Sequence, residues 1–311
     1  MPLDPQVESI MKEDKERNLP PYNRLTPSEA RRQMLELSPP VDPELIAKRV
    51  RQLKIPGDSA DIPIRLYYPD GNPPFAVAVY FHGGGWVMGN LDTHHAICHA
   101  LSHTSGCLVL AVDYRLSPEH KFPAAIEDAY TATCWVAENG GSVQADANRM
   151  AVMGESAGAT LATVAAMMIR DRGGPHVALQ VLVYPVTNRD MITLSHTNYA
   201  QGYMLTHEMM RWFWDQYLTG EEAAEHPYVS PLRAENLGDL PPALVVTAEY
   251  DPLCDEGEAY ASKLAAAGVR VRHSRYEGMV HGFFRMTARV DRSREALGEV
   301  AVQLRKALQM G

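Results

Sequence analysis

Ser156 stands in the pentapeptide GESAG, Gly154 to Gly158. The strand-like run RMAVMGE leads into it, and Ala157 to Arg170 leaves it as a run of small and apolar residues suited to a buried helix. A G-x-S-x-G between a strand and a helix is the pattern of a nucleophile elbow. The serine there takes a strained backbone conformation that lifts its hydroxyl clear of the sheet. The flanking glycines let neighbouring backbones close in, and the next amide, that of Ala157, points the same way near a helix N-terminus. A serine hydroxyl needs a base, and the base needs a group to orient it. Asp251 follows the strand-like ALVVTAEY, and His281, in GMVHGFF, follows VRVRHSRYE. The order is serine, acid, histidine, with each partner in a loop after a later strand. Asp255 is the substitute acid, but it fits better in the first turn of the next helix, where a carboxylate favours the dipole. Glu249 sits at a strand end and is the weaker candidate; His273, inside a strand, reads as structural.

The stretch AVYFHGGGWVMGN, Ala78 to Asn90, supplies the other half of this chemistry. Three consecutive glycines are costly in ordering entropy. At the end of a buried strand they allow a ligand to approach the main chain closely. Attack of a serine on an ester or amide carbonyl generates an oxyanion, which backbone N–H groups stabilise. Gly84 and Gly85 are the favoured donors, Gly83 is the alternative, and Ala157 completes the oxyanion hole. His82 shapes this loop by hydrogen bonding rather than acting as a base. Trp86 packs beneath the loop or lines the pocket.

These groups need a scaffold that brings strand ends together. From about residue 60 the sequence alternates short apolar strands (IPIRLYYP, AVAVYFH, CLVLAVDYR, RMAVMGE, ALQVLVYP, PALVVTAEY, VRVRHSRYE) with helical segments at 92–103, 123–138, 157–170, 255–267 and 291–308. That pattern predicts an α/β fold with a mostly parallel central sheet covered by helices on both faces. Ligands then bind beyond the carboxyl ends of the strands. Ahead of it, residues 1 to about 50 are polar and proline-punctuated; Thr26 is expected to cap a helix that starts at Pro27. A long crossover between VLVYP and LPPALVV contains GYMLTHEMMRWFWDQYLTG, whose apolar residues recur at helical spacing. So long a connection needs a surface to cover. Met204, Met209, Met210, Trp212 and Phe213 either line an acyl pocket there or pack in the core.

Composition narrows the partners. With 46% hydrophobic residues, the 311-residue chain can build a large core. A net charge of −9 without a basic cluster argues against nucleic acid and anionic membrane surfaces. The longest apolar stretch, AGATLATVAAMMI, is too short to span a bilayer. The N-terminal MPLDPQVESIMKEDKERN lacks the apolar segment of a secretory signal. Cys98, Cys107, Cys134 and Cys254 show neither metal-binding nor disulfide spacing, so the expected setting is the reducing cytoplasm. His95, His99 and His103, with His94 beside them, recur at helical spacing but without an interleaved carboxylate. They read as a polar surface helix, and no metal site is expected. Arg115 and Glu119, in YRLSPEH, read as residues that fix the loop, with direct substrate contact as the alternative.

Taken together, HGGGW, DYRLSPEHKFPAAIEDA (Asp113 to Ala129), GESAG, DPLCDEGEAYA (Asp251 to Ala261) and HGF at His281 resemble the hormone-sensitive-lipase-like carboxylesterases of the α/β-hydrolase fold. The resemblance runs from about residue 55 to the end. It implies hydrolysis of short- to medium-chain carboxylic esters through an acyl-enzyme, without cofactor or metal. It also implies a helical cap built from an N-terminal segment, 1–50, and an insertion at about 188–225 within the catalytic domain 51–311. Glu155 replaces the aspartate of one branch, and Cys254 replaces a frequent arginine. The expected partner is a small ester; an edge strand would permit a homodimer. An amidase or peptidase of the same fold, or a non-catalytic ligand receptor, are the alternative functions.

Overall fold

The computed structural model of the chain describes residues 1–39 and 49–310. Eight strands form one sheet: β1 (Val50–Ile55), β2 (Ile62–Tyr67), β3 (Phe75–Phe81), β4 (Leu108–Val112), β5 (Ala145–Glu155), β6 (Leu179–Val183), β7 (Ala243–Tyr250) and β8 (Val271–Val280). Their spatial order is β1-β2-β4-β3-β5-β6-β7-β8. The β1–β2 and β2–β4 pairs are antiparallel, and every pair from β4 to β8 is parallel. All residues of β3 and β4 are buried, as the continuous apolar runs demand of strands covered on both faces.

The two faces separate cleanly. Along β3, Val77, Val79 and Phe81 enter one core and Ala76, Ala78 and Tyr80 enter the other, the period-two alternation of a strand. The first core takes side chains from α2 (Pro27–Leu37), α4 (Ala124–Asn139), α5 (Ala157–Arg172) and α8 (Cys254–Ala266). The second takes them from α1 (Pro5–Glu16), α3 (His95–Ser105) and α9 (Asp291–Ala307). The crossover between β6 and β7 carries α6 (Leu194–Asn198) and α7 (His207–Tyr217). Buried side chains of α7 join the first core.

Helix α2 begins as the sequence reading expects. The Thr26 hydroxyl and Glu29 form a reciprocal capping box, with Pro27 at the first helical position. Two expectations need correction. The first strand is β1, ahead of residue 60; its six residues are mostly exposed or half-buried at a sheet edge, so it lacks the apolar signal of the inner strands. Helix α3 starts at His95 instead of position 92, because Asn90 Oδ1 accepts from the amides of Asp92 and Thr93. That turn withholds both residues from the helix. Of the expected 1–50 segment, residues 40–48 lie outside the described residues.

Candidate active site

Strand β5 ends at Glu155, and Ser156 occupies the bend before α5 with φ +57°. A non-glycine residue in this region is strained, and its surroundings hold it there. The Ser156 amide donates to Val183 O at 2.8 Å, extending the β5–β6 ladder by one residue. Gly154 and Gly158 can only be glycine: a Cβ on Gly154 would collide with Gly158 O, and one on Gly158 with Phe81 O.

Asp251 and His281 are the first residues after β7 and β8. His281 Nε2 lies 2.9 Å from Ser156 Oγ, and Nδ1 lies 2.7 Å from Asp251 Oδ2. The carboxylate accepts, so Nδ1 carries the proton and Nε2 presents its lone pair to the hydroxyl. Asp251 is fully buried, and its Oδ1 accepts from the Leu253 amide at 2.9 Å. The Tyr184 ring, 4.5 Å from the imidazole, backs it.

The competing acids are occupied elsewhere. Glu249 accepts from the Gly278 amide at 2.7 Å. Asp255 accepts from the Ser195 amide at 2.8 Å, tying α6 to the first turn of α8. His273 Nε2 lies 2.9 Å from Thr247 Oγ1, away from the triad.

The glycine loop closes into a tight turn in which Gly84, Gly85 and Trp86 have φ of +114°, +61° and +62°. Two carbonyls in it are pinned. Gly83 O accepts from His82 Nδ1 at 2.7 Å. Gly84 O accepts from the amides of Val87 (3.1 Å) and Met88 (2.9 Å). In a trans peptide the C=O of one residue and the N–H of the next point in opposite directions. Pinning Gly83 O therefore aims the Gly84 N–H, and pinning Gly84 O aims the Gly85 N–H. Neither amide has an intramolecular acceptor among the described residues. The Gly83 amide, in contrast, is taken: it donates to the buried Glu155 Oε1 at 3.0 Å.

Behind the turn lies a buried polar cluster. His82 stacks between Tyr114 and His94. Burial, then the neighbouring His94, pushes its pKa down to about 3, so it stays a neutral donor. Tyr114 donates to His82 O at 2.8 Å. Glu155 Oε1 also meets His94 Nε2 at 2.8 Å and Arg285 Nε at 3.6 Å. Burial alone would raise the Glu155 pKa; Arg285, followed by His94, reverses this and holds the carboxyl well below the usual carboxylate range. The expectation of a polar surface helix for the histidine series is thus corrected at its start. His94 and His95 are buried because this helix end packs behind the elbow, whereas His103 is exposed. Among the described residues, no group of three or more His, Cys, Asp or Glu is arranged to hold a metal ion.

The expected pocket residues divide by depth. Trp86 is buried beneath the turn, stacked on Tyr217 with centroids 4.3 Å apart and packed against Trp214 at 4.8 Å. Phe213 fills the space where a Gly85 side chain would be. Met209 and Met210 are buried, Trp212 is half-buried, and Met204 is exposed. Arg115 grips Asp128, and Glu119 pairs with Arg31; both fix the 114–123 loop. At Cys254, burial pushes the thiol pKa up to about 12. Glu258, one helical turn on, lies 3.5 Å from Arg275 of β8, which provides a cation beside this position.

Sequence reading missed Arg31, Tyr114, Arg285, His196 and Glu256. Tyr114 and Glu256 lie within quoted motifs that assign them no role, and the contacts of all five are with residues distant in sequence.

An eight-stranded, mostly parallel sheet with a serine elbow and this loop defines an α/β-hydrolase. The chain belongs to that family, whose α/β-hydrolase-fold model matches residues 78–285, and within it to the hormone-sensitive-lipase-like group. It is 45% identical over 287 residues to the esterase LipI of Mycobacterium tuberculosis, covering 90% of this chain and 88% of the relative. It is 37% identical over 299 residues to the ethyl acetate hydrolase of Pseudomonas putida, covering 93% and 92%. Among solved structures, a thermostable esterase from Pseudomonas putida ECU1011 superposes with a TM-score of 0.94 at 38% identity, covering 100% of this chain and 99% of the other. The hyperthermophilic esterase of Pyrobaculum calidifontis gives 0.92 at 40% identity, covering 98% and 99%.

Proposed function

We propose that the chain is a serine carboxylesterase working through Ser156, His281 and Asp251 on small carboxylic esters. The observation that carries this reading is the continuous hydrogen-bonded line Asp251–His281–Ser156. Neutral His281 takes the Ser156 proton as Oγ attacks the ester carbonyl. Asp251 holds the ring in the required tautomer and stabilises the imidazolium. The oxyanion rests on the amides of Gly84, Gly85 and Ala157. His281 then protonates the leaving alcohol, the acyl group remains on Ser156, and a water deprotonated by His281 releases the acid. Gly83 has no part in the hole on this reading, because its amide belongs to Glu155.

The N-terminal helices and the 188–225 insertion form the cap. Supporting this are the contact of Phe213 with Gly85 and the reach of Arg31 from α2 to Val87 O. Short- to medium-chain acyl groups are the proposed substrates, and the cytoplasm is the proposed setting, consistent with four free cysteines. An edge strand is the proposed route to a homodimer, to be tested by sedimentation. Among the described residues no helix is long and apolar enough to cross a membrane.

The test is a series of p-nitrophenyl esters of rising acyl length, with matched anilides, together with labelling by a fluorophosphonate. Ser156→Ala should lose about 10⁴-fold or more in kcat and all labelling. An active alanine variant, or label on another residue, refutes the assignment. Faster turnover of the anilides would favour an amidase.

A further inference from the structure

Arg31 lies on α2, far in sequence from every motif of the site, yet its guanidinium reaches the oxyanion turn. Nε donates to Val87 O at 2.7 Å. Nη2 donates to Ser117 O at 2.8 Å. Nη1 and Nη2 meet Glu119 Oε1 and Oε2 at 2.9 and 2.6 Å. The same two loops are also joined directly, since the Ser117 amide donates to Trp86 O at 2.8 Å.

The Val87 carbonyl terminates the turn whose amides, at Val87 and Met88, pin Gly84 O. Three successive residues of that turn, Gly84 to Trp86, have positive φ, and the third is a tryptophan. Such a turn persists only where its surroundings over-determine it. The orientation of the Gly85 N–H is the property at stake, because it is set by the peptide plane it shares with Gly84 O. A planar guanidinium can hold two carbonyls and a carboxylate at fixed mutual angles, which a lysine ammonium cannot do.

We propose that Arg31 is a positioning residue for the oxyanion hole: from the N-terminal helix it clamps Val87 O to Ser117 O and so keeps the Gly85 amide aimed at the developing oxyanion. This rests on the serine-esterase reading above. It makes the N-terminal segment part of the catalytic apparatus in addition to covering it.

The experiment compares Arg31→Ala, Arg31→Lys and, as a control on the exposed face of the same helix, Arg32→Ala, in the full chain with p-nitrophenyl butyrate. A trifluoromethyl ketone, which forms an oxyanion-bearing adduct on the serine, serves as the transition-state probe. Loss of a positioned donor lowers kcat, so Arg31→Ala should fall about 30-fold in kcat with KM within about twofold. Its trifluoromethyl-ketone affinity should fall in parallel, whereas affinity for the product acid should not change. Arg31→Lys should recover only part of kcat. Arg32→Ala should stay within about twofold of the parent, because that side chain is exposed and pairs with Glu36 on the same helix, away from the turn.

Three results would overturn the proposal. One is kcat and ketone affinity unchanged in both Arg31 variants. Another is a loss confined to KM. The third is an Arg32→Ala loss as large as that of Arg31→Ala, which would assign the effect to the loss of a positive charge on this helix and not to the clamp. Circular dichroism and urea melts identify a variant that fails to fold, and Arg31→Lys, which retains the charge, then carries the test. Failure of the parent protein to be labelled at Ser156 would instead sink the underlying esterase reading, a result distinguishable from all of these.

Discussion

Two buried glutamate–histidine pairs flank the site, and they behave in opposite ways. Glu155 meets His94 at 2.8 Å behind the glycine turn; Glu256 meets His196 at 2.9 Å where the β6–β7 crossover leaves the sheet. Both carboxylates also accept main-chain amides: Gly83 for Glu155, Thr187 and Asn188 for Glu256. Burial raises the pKa of Glu256, and His196 only partly offsets it. The pKa of Glu155 is instead held low, because Arg285 stands 3.6 Å away. A permanent cation, more than the histidine or the amides, decides whether a desolvated carboxylate keeps its charge. Glu155 is therefore an anion that anchors the glycine turn, and Glu256 is a bracket for the start of the β6–β7 crossover.

Neutralising each carboxylate tests this contrast. The largest effect is expected from Glu155→Gln, which leaves Arg285 without its counter-charge and weakens the grip on Gly83. Stability should fall by about 3 kcal/mol at pH 8, and kcat by about tenfold as the turn loosens. Urea melts and p-nitrophenyl butyrate kinetics read these out. Because the native pKa of Glu155 is depressed, its contribution is present above about pH 4.3, the ordinary glutamate value, and fades only as pH falls toward the low native value. The penalty of the variant should therefore shrink in acid.

Arg285→Met comes next, at about 2 kcal/mol, since it strands the carboxylate instead of the cation. Combining it with Glu155→Gln should cost less than the sum of the two. Glu256→Gln should have the smallest effect, within about 1 kcal/mol of the parent. Its sign should be the reverse: a raised native pKa makes a contribution that is complete below about pH 4.3 and lost as pH rises through the native value. The variant should thus gain on the parent as pH rises above the ordinary glutamate value and through the raised native one. Equal pH responses from the two glutamine variants would erase the distinction.

The legible parts of the molecule were those whose physics is local. GESAG between a strand and a helix marked the elbow, and the serine–acid–histidine order matched the loops that follow β5, β7 and β8. Inner strands such as β3 stood out because burial on both faces requires unbroken apolar runs. β1 escaped because an edge strand can remain polar. His94 and His95 were misread because helical spacing says which residues share a face, but not what that face packs against.

The sequence by itself determined the candidates for the chemistry: a serine between a strand and a helix, an acid and a histidine after later strands, and a stretch of backbone free of side chains. These follow from residue type and from the spacing of neighbours along the chain. Only the tertiary structure decided the assignments that depend on competition for partners. The Gly83 amide is bonded to Glu155, whereas those of Gly84 and Gly85 have no acceptor among the described residues. Glu249 and Asp255 are bonded elsewhere, and Arg31 became relevant through contacts with a turn distant in sequence. A hydrogen bond depends on which groups meet in space and in what orientation, and the fold brings such groups together from any distance along the chain.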